Sequence, residues 1–329
     1  MPIAFPEIEA AAARIRRHLA PTPLVRSPRL GERLGANVYL KLETLQPTHS
    51  FKVRGAFSAL TRLDPEQAKR GVVTASGGNH GLAVAFAASR LGIPATIYLP
   101  ESATEAKLSA IRRLDPEIVI HGASWDDANA LAMRVAAQSG RSYIHPFDDP
   151  AVMAGQATLV PEILADLPAP PDMIVVSVGG GGLMSGILSA TAHLCPATRV
   201  HGVETAGADS MARSLAAGRI VELPRITSIA ETLGARRTGA FQFETVSRLA
   251  ASVVTVTDAA AVRALIELLE GDKLLTEPAT SCSVAALVEG KIAVARGASV
   301  VVIACGANIA LDKVIAWGAK PHADAGPEA

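Results

Sequence analysis

Gly179, Gly180, Gly181 and Gly182 follow the apolar run "DMIVVSV" and precede the helical "LMSGILSATAHL". Glycines let backbone approach an anion closely, and the free N–H groups of a helix start favour negative charge, so this run is a candidate phosphate cradle. A tight strand-to-helix turn is the plainer alternative, although four consecutive glycines exceed what a turn needs. No Gly-Lys-Ser/Thr closes the loop, and no G-x-G-x-x-G spacing with an acidic partner is present. A small phosphorylated cofactor therefore fits better than a nucleotide. A second turn, "SGGNHG", offers side-chain donors at Ser76, Asn79 and His80 and free N–H groups suited to a carboxylate. Helix capping by Asn79 is the alternative there. A third, "CGAN" from Cys305 to Asn308, ends the run "SVVVIA", where a lone cysteine usually serves as a small apolar core residue. Lys52, in "THSFKVRGAF", taken alone reads as a solvated helix cation. Beside a phosphate cradle its amine gains a second reading, a nucleophile able to form an imine with a carbonyl on the same phosphorylated molecule.

These turns need a frame that brings them together. Short β-branched runs alternate with longer Ala/Leu-rich segments, the pattern of parallel α/β sheets with helices on both faces. The strands are read at "GVVTAS", "PATIYLP", "EIVIHG", "SYIHPF", "DMIVVSVG", "RVHGVE", "SVVTVTD" and "SVVVIACG". Their near-continuous apolar character implies burial on both faces. Helices between them are expected to end at Gly92 and Gly140. The opening residues read as an amphipathic helix, "VPEILADLPAPPDM" as a loop inside one helix–strand unit, and the tail "KPHADAGPEA" as frayed. In such a sheet the three turns open at carboxyl ends of strands, where ligands gather.

Composition excludes several function classes. Lys plus Arg and Asp plus Glu each total 31, so no net field favours nucleic acid. Cys195, Cys282 and Cys305 lack zinc or redox spacing, which suits a reducing, cytoplasmic setting. Apolar stretches are too short and Gly-interrupted for a bilayer, and the N-terminus lacks a signal-peptide core. His121, His145 and His201 show no ligand spacing and are expected to be structural.

The ordered set "SFKVRGA", "SGGNHG", "SVGGGGL", "TEPAT" and "CGAN" resembles the fold-type II pyridoxal-phosphate enzymes, and within them the threonine dehydratase and serine racemase branch. The resemblance covers nearly the whole chain. It implies an α/β protein of two domains, each a mostly parallel twisted sheet flanked by helices. A small domain of residues 68–148 would be inserted into a large one of residues 1–67 and 149–329, with pyridoxal 5'-phosphate in the cleft. Lys52 matches the lysine joined to the cofactor, Phe51 the residue against its ring, and Asn79 the partner of its ring hydroxyl. Ser76, Gly77, Asn79 and His80 match the substrate-carboxylate segment. Gly179 to Gly182 with Leu183 match the phosphate loop, and Cys305 the group facing the ring nitrogen. A neutral thiol there makes the cofactor a weaker electron sink than a carboxylate would, which favours prompt loss of a β leaving group. The implied reaction is α,β-elimination, in which Lys52 takes the α-proton, hydroxide departs, and a 2-oxo acid and ammonia are released. A homodimer is the family habit, and the chain's end near "ALDKVIAWG" implies no regulatory domain.

Departures from the pattern narrow the expectation to a threonine/serine dehydratase. Racemases of the branch resemble "SSGNHG", whose second serine is the opposite-face proton donor; Gly77 stands there, so little racemisation is expected. Cysteine synthases carry Lys-Asp-Arg and Gly-Asn-Thr-Gly where this chain has "KVRG" and "GNHG", which disfavours β-replacement. Dehydration of a hydroxyaspartate or phenylserine is the nearest alternative, and a nicotinamide-binding or non-catalytic α/β protein the alternative of another class. Some relatives bind a divalent cation through Glu, a backbone carbonyl and Asp; Glu204 and Ala208 remain, but Ser210 replaces the Asp, which should weaken such a site. His49 stands where many relatives have a small residue, and "FDDPAVMAGQAT" resembles their interdomain segment, a candidate lining for the side-chain pocket.

Overall fold

A computed structural model describes residues 2–103 and 105–318. Its ten strands are β1 (Leu24–Arg26), β2 (Asn37–Leu42), β3 (Val72–Ala75), β4 (Ala95–Leu99), β5 (Glu117–Ile120), β6 (Ser142–Tyr143), β7 (Met173–Ser177), β8 (Arg199–Thr205), β9 (Ser252–Val256) and β10 (Ser299–Ala304). They form two sheets, of order β1-β2-β10-β7-β8-β9 and β5-β4-β3-β6. Every pairing is parallel except β1 with β2. All eight expected strands are present. The expectation did not name β1, which has only three residues, or β2, where Lys41 interrupts the apolar run of "NVYLKL".

Alternation along β7 and β10 builds two cores from one sheet. Ile174, Val176, Val301 and Ile303 face the helices Lys52–Leu60, Pro150–Ala157 and Gly182–Leu194. Met173, Val175, Val300 and Val302 face the helices Asp258–Glu267 and Pro278–Val288. Such central strands are buried on both faces, as the sequence implies. Edge strands depart from it: β5 and β9 remain largely half-exposed, and Ile120 is exposed, since one flank of each has no neighbour.

Helices end as expected at Gly92 (φ 66°) and Gly140 (φ 68°). One loop expectation is corrected. "VPEILAD" belongs to the helix Leu159–Asp166, whose Pro161 sits in the first turn, where a missing N–H costs no helix bond. The polar tail of residues 320–329 lies outside the described residues. No helix among the described residues is long and apolar enough to cross a membrane.

Candidate active site

β7 and β10 are neighbours, so the turns that follow them emerge side by side. After β10, the Cys305 carbonyl accepts the Phe51 N–H (2.9 Å), Ser50 bridges Gly306, and the Ala307 N–H donates to His49 (3.0 Å). These bonds fix the entry to the helix Lys52–Leu60, whose first residue is Lys52. His49 adopts the left-handed region (φ 54°), which is uncommon for a residue other than glycine. Its ring is turned to the Thr44 carbonyl (3.3 Å).

The Lys52 Nζ donates to the Pro146 carbonyl at 2.8 Å and lies 5.2 Å from the centroid of the Phe51 ring. Burial of the amine lowers its pKa to about 8, against the opposing pull of Cys305 and Glu277. The next residue, Phe147, packs on the glycine loop: a Cβ at Gly180 would fall 2.3 Å from its ring, and one at Gly182 would meet its backbone at 2.9 Å. One dipeptide thus touches both the amine and the loop. His145 shapes that dipeptide, its Nδ1 accepting the N–H groups of Phe147 (3.2 Å) and Asp148 (2.8 Å). Burial lowers the His145 pKa to about 4, so the ring stays a neutral acceptor.

The loop itself has the property the sequence suggested. Gly180, Gly181, Gly182 and Leu183 are buried, Gly181 in the left-handed region (φ 90°). Among the described residues their N–H groups meet no acceptor, and the first bond of the following helix runs from the Ser185 N–H to Gly181. Buried N–H groups without partners are rare, and here they converge at a helix start. A phosphate supplies the acceptors they lack. An amine of lowered pKa beside such a cradle fits a phosphorylated carbonyl compound.

Asn79 opens the helix Asn79–Leu91 but does not cap it; Gly78 is the capping residue. The Asn79 Nδ2 donates to Glu277 (3.0 and 3.2 Å), and its Oδ1 accepts from the Asn308 Nδ2 (2.7 Å). The capping alternative is therefore set aside. Ser76 Oγ accepts the Gly78 N–H (3.2 Å). The His80 Nε2 meets the Ile144 carbonyl (3.1 Å), leaving Nδ1 buried without a partner, and burial lowers the ring's pKa to about 3. Cys305 is no plain core residue: its Sγ lies 3.3 Å from Ser177 Oγ and 3.2 Å from Thr280 Oγ1. Burial pushes its thiol up to about 12.

The motif "TEPAT" carried no role for Glu277 in the sequence, Phe147 stood only in the candidate pocket lining, and Pro146 only in the strand read at "SYIHPF". The acidic cation candidates are engaged by protein groups. Both Glu204 oxygens accept helix N–H groups, from Met211 (3.0 Å) and Ala212 (2.7 Å), and Asp209 pairs with Arg213 (3.0 Å). Among the described residues no three His, Cys, Asp or Glu side chains cluster as a metal centre.

Comparisons with known proteins agree with this geometry. The chain is 39% identical over 302 residues to an L-threonine ammonia-lyase of Geobacter sulfurreducens, covering 92% of this chain and 75% of the relative. It is 37% identical over 319 residues to one of Thermotoga maritima, covering 96% and 79%. The structure of maize serine racemase superposes with a TM-score of 0.91 at 32% identity, over 96% of this chain and 97% of that one. The sequence pattern described as "Pyridoxal-phosphate dependent enzyme" matches residues 15–306. With that match running from before Lys52 to Gly306, the amine and the glycine cradle are those of a chain that belongs to the pyridoxal-phosphate dependent enzyme family.

Proposed function

We propose that this protein is a pyridoxal-phosphate-dependent ammonia-lyase that converts L-threonine, and L-serine, to the 2-oxo acid and ammonia. The observation that carries the reading is the dipeptide Pro146–Phe147, which joins a lysine amine of lowered pKa to a buried loop of unpaired N–H groups. The names of the relatives from Geobacter and Thermotoga point to threonine.

When bound, the cofactor withdraws electrons from the substrate's α-carbon and so acidifies its proton. The N–H groups of Gly180 to Leu183 would bind its phosphate, with Gly179 at the loop's start, and Phe51 lies beside the amine. Lys52 would hold the carbonyl end of the cofactor, and its neutral amine is the base for the substrate's α-proton. The segment Ser76–His80 holds the substrate carboxylate: its Gly77, Asn79 and His80 N–H groups have no acceptor among the described residues. Neutral Cys305 offers the ring nitrogen a hydrogen bond and no negative charge, which favours departure of hydroxide. In this reading residues 68–148 form a small domain inserted between 1–67 and 149–329. The separate four-stranded sheet of β3 to β6 supports that division.

The deciding experiment measures 2-oxo acid release from L-threonine, L-serine, a 3-hydroxyaspartate and phenylserine. Fastest release from threonine is expected; turnover confined to hydroxyaspartate or phenylserine moves the assignment to that substrate, and none at all refutes a lyase. Exhaustive chelation is expected to leave turnover unchanged, because Glu204 serves a helix start and Ser210 brings no charge; a strict magnesium requirement would overturn this.

The likeness to maize serine racemase raises racemisation as a second reading. Gly77 speaks against it, because it offers no hydroxyl for proton delivery on the opposite face. The backbone admits one: a Cβ at Gly77 would lie 3.1 Å from the flexible end of Leu99 and 3.8 Å from Ala103. Gly77→Ser is therefore expected to fold and to raise D-serine formation from L-serine at least about tenfold, as chiral chromatography reads it. A wild-type protein that racemises as fast as it eliminates contradicts this account.

A further inference from the structure

Glu277 is a buried carboxylate that does not cap its own helix and, among the described residues, forms no ion pair. It stands at the N-cap of the helix Pro278–Val288, yet its side chain makes no capping bond. Instead two side chains from distant segments donate to it. Asn79 Nδ2 reaches both oxygens (3.0 and 3.2 Å), and Thr232 Oγ1 reaches Oε1 (2.9 Å). Its backbone is tied in turn, the Glu277 N–H donating to Gly306 (3.1 Å). Gly306 has no room for a side chain, since a Cβ would fall 2.8 Å from Glu277 Oε1 and 3.3 Å from Asn79 Nδ2.

This arrangement decides how Asn79 is oriented. Glu277 offers acceptors, so Nδ2 must face it and Oδ1 must face away, toward the Asn308 Nδ2 that donates at 2.7 Å. A flipped amide would set oxygen against carboxylate and nitrogen against nitrogen. One Asn79 N–H suffices for the forked contact with the carboxylate, which leaves the other for a ligand oxygen. Asn79 also sits on the turn after β3, whereas Thr232, Glu277 and Asn308 belong to the six-stranded side. The same contacts therefore tie the two sheets together beside Lys52. Burial raises the Glu277 pKa to about 7, with Thr232 and Asn79 opposing the rise, so these two donors help keep a charged form accessible.

We propose that Glu277 is a positioning residue for the cofactor: its carboxylate locks the Asn79 amide with a free Nδ2 hydrogen aimed at the ring hydroxyl and latches the Asn79 turn to the six-stranded side. The proposal rests on the assignment of Asn79 to that hydroxyl. It adds a role for the one acidic residue of "TEPAT", which neither the phosphate loop nor the base explains.

The test is a double-mutant cycle on the holoenzyme, reading the cofactor's absorption maximum and its dissociation constant by spectral titration, with thermal melting as the check on folding. Asn79→Ala and Glu277→Gln are each expected to shift the band and weaken cofactor binding about tenfold. In the Asn79→Ala background, Glu277→Gln is expected to add little. Glu277→Asp keeps the charge but withdraws the oxygens by one methylene, and it should reproduce the Glu277→Gln defect. Thr232→Val removes one donor while keeping the carboxylate, and it should give a smaller shift in the same direction. Additive losses from Asn79→Ala and Glu277→Gln overturn the proposal while leaving the Asn79 assignment intact. Wild-type behaviour of Glu277→Asp beside a defective Glu277→Gln overturns it in favour of a bare charge effect on Lys52. An unaltered Asn79→Ala holoenzyme removes the Asn79 assignment and the proposal with it.

Discussion

Lys52→Ala is expected to lower turnover by about 10⁴-fold or more, because one side chain both anchors the cofactor and moves the α-proton. The variant should show no mass increase after borohydride treatment in the presence of pyridoxal phosphate, whereas the wild type should gain the cofactor's mass at this residue. The pH dependence of that capture follows from burial. Only the neutral amine attacks a carbonyl, and burial penalises the ammonium form, so the pKa falls from 10.5 to about 8. A lysine titrating that low carries roughly a hundredfold or more neutral amine at neutral pH than a solvated one. Capture by the apoprotein is accordingly expected to speed up as pH approaches 8 and to level off above it. A rate still climbing toward 10.5 would mean that the amine is solvated and that the site is not assembled as described.

Arg54→Ala is expected to destabilise the fold by about 3–5 kcal/mol, although Arg54 touches neither the loop nor the amine. Its guanidinium is 0% exposed and grips two carboxylates at once. Nε and Nη2 donate to Glu43 (2.7 and 2.9 Å), and Nη1 and Nη2 to Glu162 (2.6 and 2.7 Å). Lys41, also 0% exposed, closes the cluster on Glu162 at 2.9 Å and on the Thr22 carbonyl at 2.6 Å. Burial alone would lower the Arg54 pKa, but Glu43 and then Glu162 reverse this and hold it above its ordinary value. Truncation leaves Glu43, also 0% exposed, without its cation, and an unpaired buried charge is the costly outcome rather than loss of the pair itself. The double variant Arg54→Met/Glu43→Gln should therefore be more stable than Arg54→Ala in urea melts of the apoprotein. Equal or lower stability of the double variant would show that the cluster contributes net attraction. Because Arg54 lies two residues beyond Lys52 on the same helix, cofactor occupancy should fall together with stability in Arg54→Ala.

The sequence alone carried the chemistry that is local. A glycine run after an apolar strand exposes N–H groups wherever that strand ends, and strand–helix alternation sets a parallel α/β frame through short-range periodicity. Lys52, Gly179–Gly182 and Cys305 were legible because each sits within a few residues of a strand end or helix start that the pattern itself marks. Tertiary structure decided what depends on partners far along the chain. Asn79 finds Glu277 across 198 residues, and Arg54 finds Glu162 across 108. Charged residues such as Arg54, Lys41 and Glu43 read as solvated in a sequence, since nothing local shows that folding will surround each with its counter-charge. Phe147 likewise lies on a loop whose glycines are more than thirty residues away, and only the packing of β6 beside β3 and of β7 beside β10 brings ring, loop and amine to one place. The cause is the same throughout: periodicity is written in neighbours along the chain, whereas burial, pairing and the lowered pKa of Lys52 arise from neighbours in space.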